Sequence, residues 1–260
     1  KDIDFIVFAT ITPDYFFPGS GVLLQRELGL DGKIAALDIR NACSGFIYAL
    51  SVADQFIKTG MYQNILVVGA EIQSTALDLS TRGRNTAVIF GDGAGAAVLQ
   101  AANKPGILST HLHSDGHYAE ELYVKDPGSS RPHNERQPDQ ILDTTSYKVV
   151  MNGNQVFKHA VVRFTEVINE ALSANSLHRS DINLLVPHQA NLRISQYIQE
   201  KLELSNDQVY NNIMRYGNTT AASIPIALSE AWAEGRIKTN DLICLAAFGS
   251  GFTWASALIR

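Results

Sequence analysis

Three stretches of this chain recur in the same order, the first two at a lag of about 180 residues, and that repetition restricts the possible fold more than any other feature. Asp2-Ile3-Asp4-Phe5-Ile6-Val7 resembles Asp181-Ile182-Asn183-Leu184-Leu185-Val186. Ile57-Lys58-Thr59-Gly60, ahead of the apolar Ile65-Leu66-Val67-Val68, is echoed by Ile237-Lys238-Thr239-Asn240 ahead of Leu242-Ile243-Cys244-Leu245. Each half then closes on a glycine-rich turn that enters an apolar stretch. These turns are Gly91-Asp92-Gly93-Ala94-Gly95, before residues 96–99, and Gly249-Ser250-Gly251, before residues 254–259. One match of this kind carries little weight, but three in the same order describe a duplicated unit.

Hydrophobic periodicity makes that unit α/β. Residues 3–9, 65–69, 182–186 and 242–248 are short apolar runs, as expected of strands covered on both faces. Residues 22–28, 44–59, 192–202 and 221–234 have apolar positions three and four apart and read as helices, so strands alternate with helices. A longer helix is predicted over 154–174, with Val156, Phe157, Ala160, Phe164, Val167 and Ile168 on one face. It precedes the second copy of the first strand, whereas the sequence opens at Lys1, just before the first copy. The repeat therefore predicts a further N-terminal piece containing at least one helix. The chain divides into an N-terminal half (1–105), a connecting strand and long loop (106–150), and a C-terminal half (151–260). Within the connection, 126–146 is polar and turn-rich and is expected to be a loop near a site.

Composition narrows the class. Only 18% of residues are charged while 45% are hydrophobic, so much of the surface should be buried, in the core or against a second subunit, and disorder is excluded. A formal net charge of −5 argues against a general nucleic-acid or anionic-membrane binder. No apolar run approaches the roughly 18 residues that a membrane span requires. Two cysteines, Cys43 and Cys244, make no disulfide framework, and a reducing cytoplasm fits them.

The two cysteines differ in setting. In Asp38-Ile39-Arg40-Asn41-Ala42-Cys43-Ser44-Gly45-Phe46 a strand runs through a sharp turn into a helix, which places Cys43 at a helix N-terminus. Unpaired N–H groups and the positive end of the dipole there are expected to stabilise a thiolate, and the same amides suit an oxyanion. A small cysteine packed under a helix is the other reading of that position. Cys244 lies inside the apolar strand Leu242-Ile243-Cys244-Leu245-Ala246-Ala247 and reads as structural. A nucleophilic thiol needs partners that the fold brings to it. His188 directly follows Leu184-Leu185-Val186-Pro187, at the C-terminal end of a strand, where α/β sites are built. Asn218 lies in Arg215-Tyr216-Gly217-Asn218-Thr219-Thr220-Ala221-Ala222-Ser223, a turn entering a helix, and reads either as a site residue or as an N-cap. With a lag near 178, this turn is the counterpart of the Cys43 turn, so a two-fold duplicated fold would bring the two together at its centre.

Five motifs then carry a resemblance that spans essentially the whole chain. They are Asn-Ala-Cys-Ser-Gly-Phe (41–46), Phe-Gly-Asp-Gly-Ala-Gly (90–95), Pro-His-Gln-Ala-Asn-Leu-Arg (187–193), Gly-Asn-Thr-Thr-Ala-Ala-Ser (217–223) and Phe-Gly-Ser-Gly-Phe-Thr-Trp (248–254). In order and spacing the chain resembles β-ketoacyl-acyl-carrier-protein synthase III of the thiolase superfamily. The resemblance implies a five-layered αβαβα thiolase fold of two duplicated halves, and a homodimer. It also implies Cys43, His188 and Asn218 as catalytic residues, with backbone N–H groups of Cys43 and Ser250 as the oxyanion hole. The implied reaction is decarboxylating condensation of an acyl-CoA primer with malonyl-acyl-carrier protein, with no metal and no cofactor. Phe17 matches a phenylalanine that lines the partner's acyl pocket, and Phe248 matches a residue beside the decarboxylation site. Asn191 is assigned to substrate binding, Arg82 or Arg84 to the CoA nucleotide, and Arg193 and Lys158 to the acidic carrier protein.

Departures from the family pattern keep other readings open. The family's N-terminal segment is missing from the given sequence, Gly249-Ser250-Gly251 replaces a triple glycine, and the 126–146 loop is longer than in the housekeeping enzymes. These features suit an acyltransferase of the same fold that makes a secondary metabolite or signalling molecule, and a non-catalytic dimer partner is the remaining alternative. A biosynthetic thiolase would need a second reactive cysteine near Gly249, and none is there. A hydroxymethylglutaryl-CoA synthase would need a general-base glutamate near the nucleophile, and no glutamate is assigned that place. His111, His113 and His117 do not have zinc-site spacing, the glycines at 91–95 make no phosphate loop, and there is no serine-hydrolase elbow.

Overall fold

The structure is a computed structural model that describes residues 2–30, 32–104, 106–126, 128, 129 and 148–260. The segment read as a loop, 126–146, falls outside the described residues except for 126, 128 and 129.

The first half runs β1 (Phe5–Ala9), α1 (Ser20–Glu27), β2 (Ala35–Ile39), α2 (Gly45–Lys58), β3 (Asn64–Glu71) and β4 (Gly93–Gln100). There follow β5 (Ile107–Ser114), β6 (Leu122–Tyr123), β7 (Val150–Met151) and α3 (Gly153–Ala174). The second half continues with β8 (Leu184–Pro187), α4 (Leu192–Lys201), α5 (Ile213–Tyr216), α6 (Ser223–Ala233), β9 (Ile243–Gly249) and β10 (Thr253–Ile259). One sheet has the order β2-β1-β3-β4 and the other β5-β10-β9-β8. In both, the long central strand pairs in parallel with the first strand of its half (β3 with β1, β9 with β8) and antiparallel with the last (β4, β10). β5, drawn from the connecting segment, is the outer strand of the second sheet, and β6 pairs with β7 in a separate ribbon.

Five layers result, as the resemblance implies. α1 covers the first sheet, α2 and α6 lie between the sheets, and α3 and α4 cover the second sheet. Burial explains why β9 is a continuous apolar run. Ile243, Leu245 and Ala247 face the core around α2 and α6, while Cys244, Ala246 and Phe248 face the core under α3 and α4. Alternate residues of a strand point to opposite faces, so a strand between two helical layers has no polar side. Cys244 is completely buried in the second of these cores, which bears out its structural reading. Among the described residues, no helix is long and apolar enough to cross a membrane.

The duplication extends to the backbone. Ala42 (φ 44°) and Thr220 (φ 49°), 178 positions apart, both adopt the left-handed conformation that L-residues avoid. Each opens a 3₁₀ turn, Ala42–Ser44 or Thr220–Ala222, that leads directly into α2 or α6. Two glycines at a lag of 180 complete the exchange between halves. A Cβ on Gly69 would lie 2.4 Å from the Ala221 carbonyl oxygen, and one on Gly249 would lie 2.5 Å from Cys43 Cβ. Each central strand thus ends against the turn of the opposite half, and this crossing joins the two candidate turns.

Candidate active site

Cys43, His188 and Asn218 line one cavity of about 180 Å³, together with Ile89, Phe90, Phe157, Asn191, Phe248 and Gly249. The three side chains that the sequence singled out come from separate elements, and all are nearly inaccessible from outside.

Cys43 sits in the turn at the start of α2, with the N–H groups of Ser250 and of Cys43 itself directed at its sulfur. These amides pull the thiol pKa down, but burial and the nearby Glu71 carboxylate outweigh them and push it up to about 12. The expectation of a resting thiolate is therefore corrected: the helix N-terminus is present, yet desolvation wins and the free group is a thiol. Ser250, standing where the family pattern has glycine, also donates its hydroxyl to the Leu122 carbonyl, which ties the β6–β7 ribbon to the Gly249-Ser250-Gly251 turn.

His188 follows β8, and its backbone N–H is held by the Ala246 carbonyl at 2.8 Å. Burial drives the imidazole pKa down to about 3, so the ring is neutral. Its Nδ1 lies 2.6 Å from Ser223 Oγ, whereas Nε2 is buried without a hydrogen-bond partner. Asn218 is fixed by its neighbours. Its N–H donates to Ile89 O at 2.8 Å, its carbonyl accepts from Gly91 N–H at 3.0 Å, and its Oδ1 accepts from Thr220 N–H at 2.9 Å. Gly217 (φ 68°) makes the turn possible. With Oδ1 engaged, the carboxamide nitrogen is the group left for the cavity. Two donors, a neutral imidazole and an amide, thus share a cavity with a thiol, and no carboxylate is among the described residues that line it.

Among the other expected residues, Asn191 and Phe248 line the cavity. Lys158 on the second turn of α3 and Arg193 on the first turn of α4 are exposed, and Val156, Phe157 and Ile194 of the same helices form part of the cavity wall. Arg82 and Arg84 are exposed and do not line it, and Arg82 is paired with Asp78 at 2.7 Å. Phe17 is 81% exposed on the loop between β1 and α1, away from this chain's own cavity. His111 and His113 share a face of β5, as their alternation predicts, and both meet Glu170. Among the described residues, no group of three His, Cys, Asp or Glu side chains is disposed to hold a metal.

Sequence reasoning missed three supports. Glu71, at the end of β3, accepts from the Ile11 N–H and from the hydroxyls of Thr10 and Thr12. Burial pushes its pKa up to about 7 despite those bonds and one from the Ala221 N–H. It is a glutamate near the nucleophile, but it does not line the cavity. Gln73 donates to Thr220 Oγ1 at 2.6 Å, and Gln189 is saturated by Pro187, Tyr210, Asn212 and Ile213. The available signal was a polar side chain at the end of an otherwise apolar strand.

The Cys43 and Glu71 shifts predict a pH profile. Alkylation of Cys43 by iodoacetamide should rise without a plateau to at least pH 9, because below a pKa of about 12 the thiolate fraction grows with pH. The rise should be shallower near pH 7, where ionising Glu71 adds a negative charge that disfavours the thiolate. Glu71→Gln removes that charge, so alkylation at pH 8 should become several-fold faster, by about one pKa unit at most. A plateau near pH 8, or slower alkylation in the variant, would contradict this electrostatic assignment.

A buried thiol and two hydrogen-bond donors, held where the two halves of a duplicated five-layer fold meet, define a condensing enzyme of the thiolase class. Sequence comparison is more specific. Residues 37–116 match the family model described as 3-oxoacyl-[acyl-carrier-protein] synthase III, and residues 172–260 match the model of its C-terminal part. Beta-ketoacyl-[acyl-carrier-protein] synthase III of Alkalilimnicola ehrlichii is 48% identical over 260 residues, all of this chain and 78% of that protein. The Salmonella typhi protein of the same name is 48% identical over 258 residues, 99% of this chain and 77% of that one. The crystal structure of the 3-oxoacyl-[acyl-carrier-protein] synthase III from Aquifex aeolicus superposes with a TM-score of 0.89 at 41% identity, covering 99% of this chain and 77% of that one. The chain belongs to the β-ketoacyl-[acyl-carrier-protein] synthase III family.

Proposed function

We propose that this protein condenses an acyl-CoA primer with malonyl-acyl-carrier protein through an acyl-Cys43 intermediate, initiating fatty acid or related acyl-chain synthesis. The observation that supports this most is the convergence of Cys43, His188 and Asn218 on one cavity. Cys43 sulfur attacks the acyl-CoA thioester, the thiol proton leaves with CoA as its free thiol, and the acyl group stays on the enzyme. The oxyanion at the acyl carbonyl is received by the N–H groups of Cys43 and Ser250, which already aim at the sulfur. Malonyl-carrier protein then enters. Its C–C bond to the carboxylate breaks, carbon dioxide departs, and the electron pair forms an enolate whose oxygen takes hydrogen bonds from His188 Nε2–H and the Asn218 amide. Enolate carbon attacks the acyl-Cys43 carbonyl, and collapse of that adduct expels the cysteine sulfur as a thiolate, which takes one proton from solvent to restore the thiol as the 3-ketoacyl-carrier protein is released.

A neutral imidazole is the form this role needs. An imidazolium would transfer its proton to the enolate and quench the carbon nucleophile, and burial keeps the ring uncharged. The steps run on side chains and backbone amides, and neither a metal nor an organic cofactor takes part. Lys158 and Arg193, exposed beside the cavity wall, receive the acidic carrier protein, and Arg82 or Arg84 meets the CoA nucleotide. A second copy of the chain covers the exposed Tyr15, Phe16 and Phe17, with Phe17 lining the partner's acyl pocket in a cytoplasmic homodimer.

Incubation with acyl-CoA should add the mass of the acyl group to Cys43 alone, and Cys43→Ala should abolish the adduct. Subsequent addition of malonyl-carrier protein should give a 3-ketoacyl product. An adduct that passes to another acceptor would favour the transferase reading, and no adduct at all would favour a non-catalytic partner.

A further inference from the structure

The imidazole of His188 has two tautomers, and only the one with its proton on Nε2 donates toward the cavity. Which nitrogen carries that proton is decided by what the other one meets. His188 Nδ1 lies 2.6 Å from Ser223 Oγ. The same oxygen accepts the backbone N–H of Gln189 at 3.3 Å. A serine hydroxyl has one proton to give, and Ser223 is fully buried at the first position of α6, with no other acceptor for it among the described residues. If Nδ1 were protonated, two N–H groups would point at Oγ and the hydroxyl proton would be stranded in the interior. With Nδ1 unprotonated, the N–H of Gln189, the O–H of Ser223 and the lone pair of Nδ1 are all satisfied, and the remaining ring proton stands on Nε2. A ring protonated on Nδ1 would leave both the Ser223 hydroxyl proton and the buried Nε2 lone pair unpaired. The other tautomer leaves only Nε2–H, at the cavity that His188 lines and where a substrate oxygen can accept it, so the arrangement has a direction: Gln189 N–H to Ser223 Oγ, Ser223 O–H to His188 Nδ1.

Two further features keep that relay in place. The Gln189 backbone cannot turn away, because its side chain is saturated by two carbonyls and two N–H groups. Ser223 belongs to the helix whose preceding turn carries Asn218. Both enolate donors are therefore aligned from the same helix start, although they lie 30 positions apart in the chain.

We infer that Ser223 is a positioning residue that locks His188 in its Nε2–H tautomer, so that the ring always presents a donor to the enolate oxygen. The inference rests on the condensing role of His188 proposed above. It assigns no contact with substrate to Ser223.

The test pairs a tautomer measurement with separate half-reactions. In protein labelled with ¹⁵N-histidine, His188 (identified by the signals lost in His188→Gln) should show a protonated Nε2 and an unprotonated Nδ1. Ser223→Ala should yield a mixture of tautomers. Carbon dioxide release from malonyl-carrier protein should then fall by about tenfold to a hundredfold, less than for removal of the donor itself. Acylation of Cys43 should change by no more than about threefold, since the thiol side of the cavity is untouched. Ser223→Thr, which keeps a hydroxyl, should restore both the single tautomer and the rate. A wild-type ring protonated on Nδ1, a single unchanged tautomer in Ser223→Ala, or equal loss of both half-reactions in that variant would overturn the inference. Wild-type protein that shows the Nε2–H form but releases no carbon dioxide would instead count against the condensing function and leave the relay standing.

Discussion

His188→Ala and Asn218→Ala are each expected to lower carbon dioxide release from malonyl-carrier protein by about 10²–10³-fold while acyl-CoA still loads Cys43. Negative charge on the thioester oxygen exists only after the C–C bond has begun to break, so donors placed there act on the transition state and not on binding. The magnitude is large because both donors are buried, where a hydrogen bond to a developing charge is worth more than in water. Loading should be spared because the two backbone amides directed at the Cys43 sulfur, proposed to receive its oxyanion, are removed by neither substitution. Measured side by side, acyl-enzyme formation by intact mass and carbon dioxide release by trapped label should separate cleanly. The double variant should lose less than the product of the two single effects, since both donors serve one oxygen. Should both half-reactions fail equally in either variant, the division of labour between thiol and donors would be wrong.

Gly249→Ala is expected to reduce covalent loading by at least about 10²-fold, because displacing a reacting atom by about 1 Å has that effect. Its Cβ would stand 2.5 Å from Cys43 Cβ and 2.9 Å from Sγ, and neither can move without breaking the turn that starts α2. Gly69→Ala is the mirror experiment. There the Cβ would press 2.4 Å from the Ala221 carbonyl and shift the Asn218 turn, so carbon dioxide release should suffer more than loading. Gly106→Ala, where the added carbon meets nothing within 4 Å, should behave as wild type in both assays. A fully active Gly249→Ala enzyme would show that the strand and the turn are not in the contact described.

Much of this molecule was legible before any coordinate. The predicted helices over 44–59 and 154–174 appear as Gly45–Lys58 and Gly153–Ala174, because long runs with one apolar face admit no other regular structure. The equivalence of the Cys43 and Asn218 turns also held, down to the left-handed residue that opens each one. Less was legible where burial competes with local chemistry. Placing Cys43 at a helix start suggested a thiolate, but how far water is excluded from the sulfur depends on β9 packing over it. Glu71, Gln73, Gln189 and Ser223 went unread because their partners lie in other segments, and a polar residue in an apolar run does not announce what satisfies it.

The amino-acid order alone determined that two α/β units follow one another and singled out three side chains that the structure brings to one cavity, since periodicity, repetition and residue type are properties of the chain read in one dimension. Tertiary structure decided the protonation of those side chains and the direction of their hydrogen bonds. A thiol held neutral, an uncharged ring with its proton on one nitrogen and an amide turned inward all depend on desolvation and on partners distant in sequence. Those quantities come into being only when the two halves close on each other.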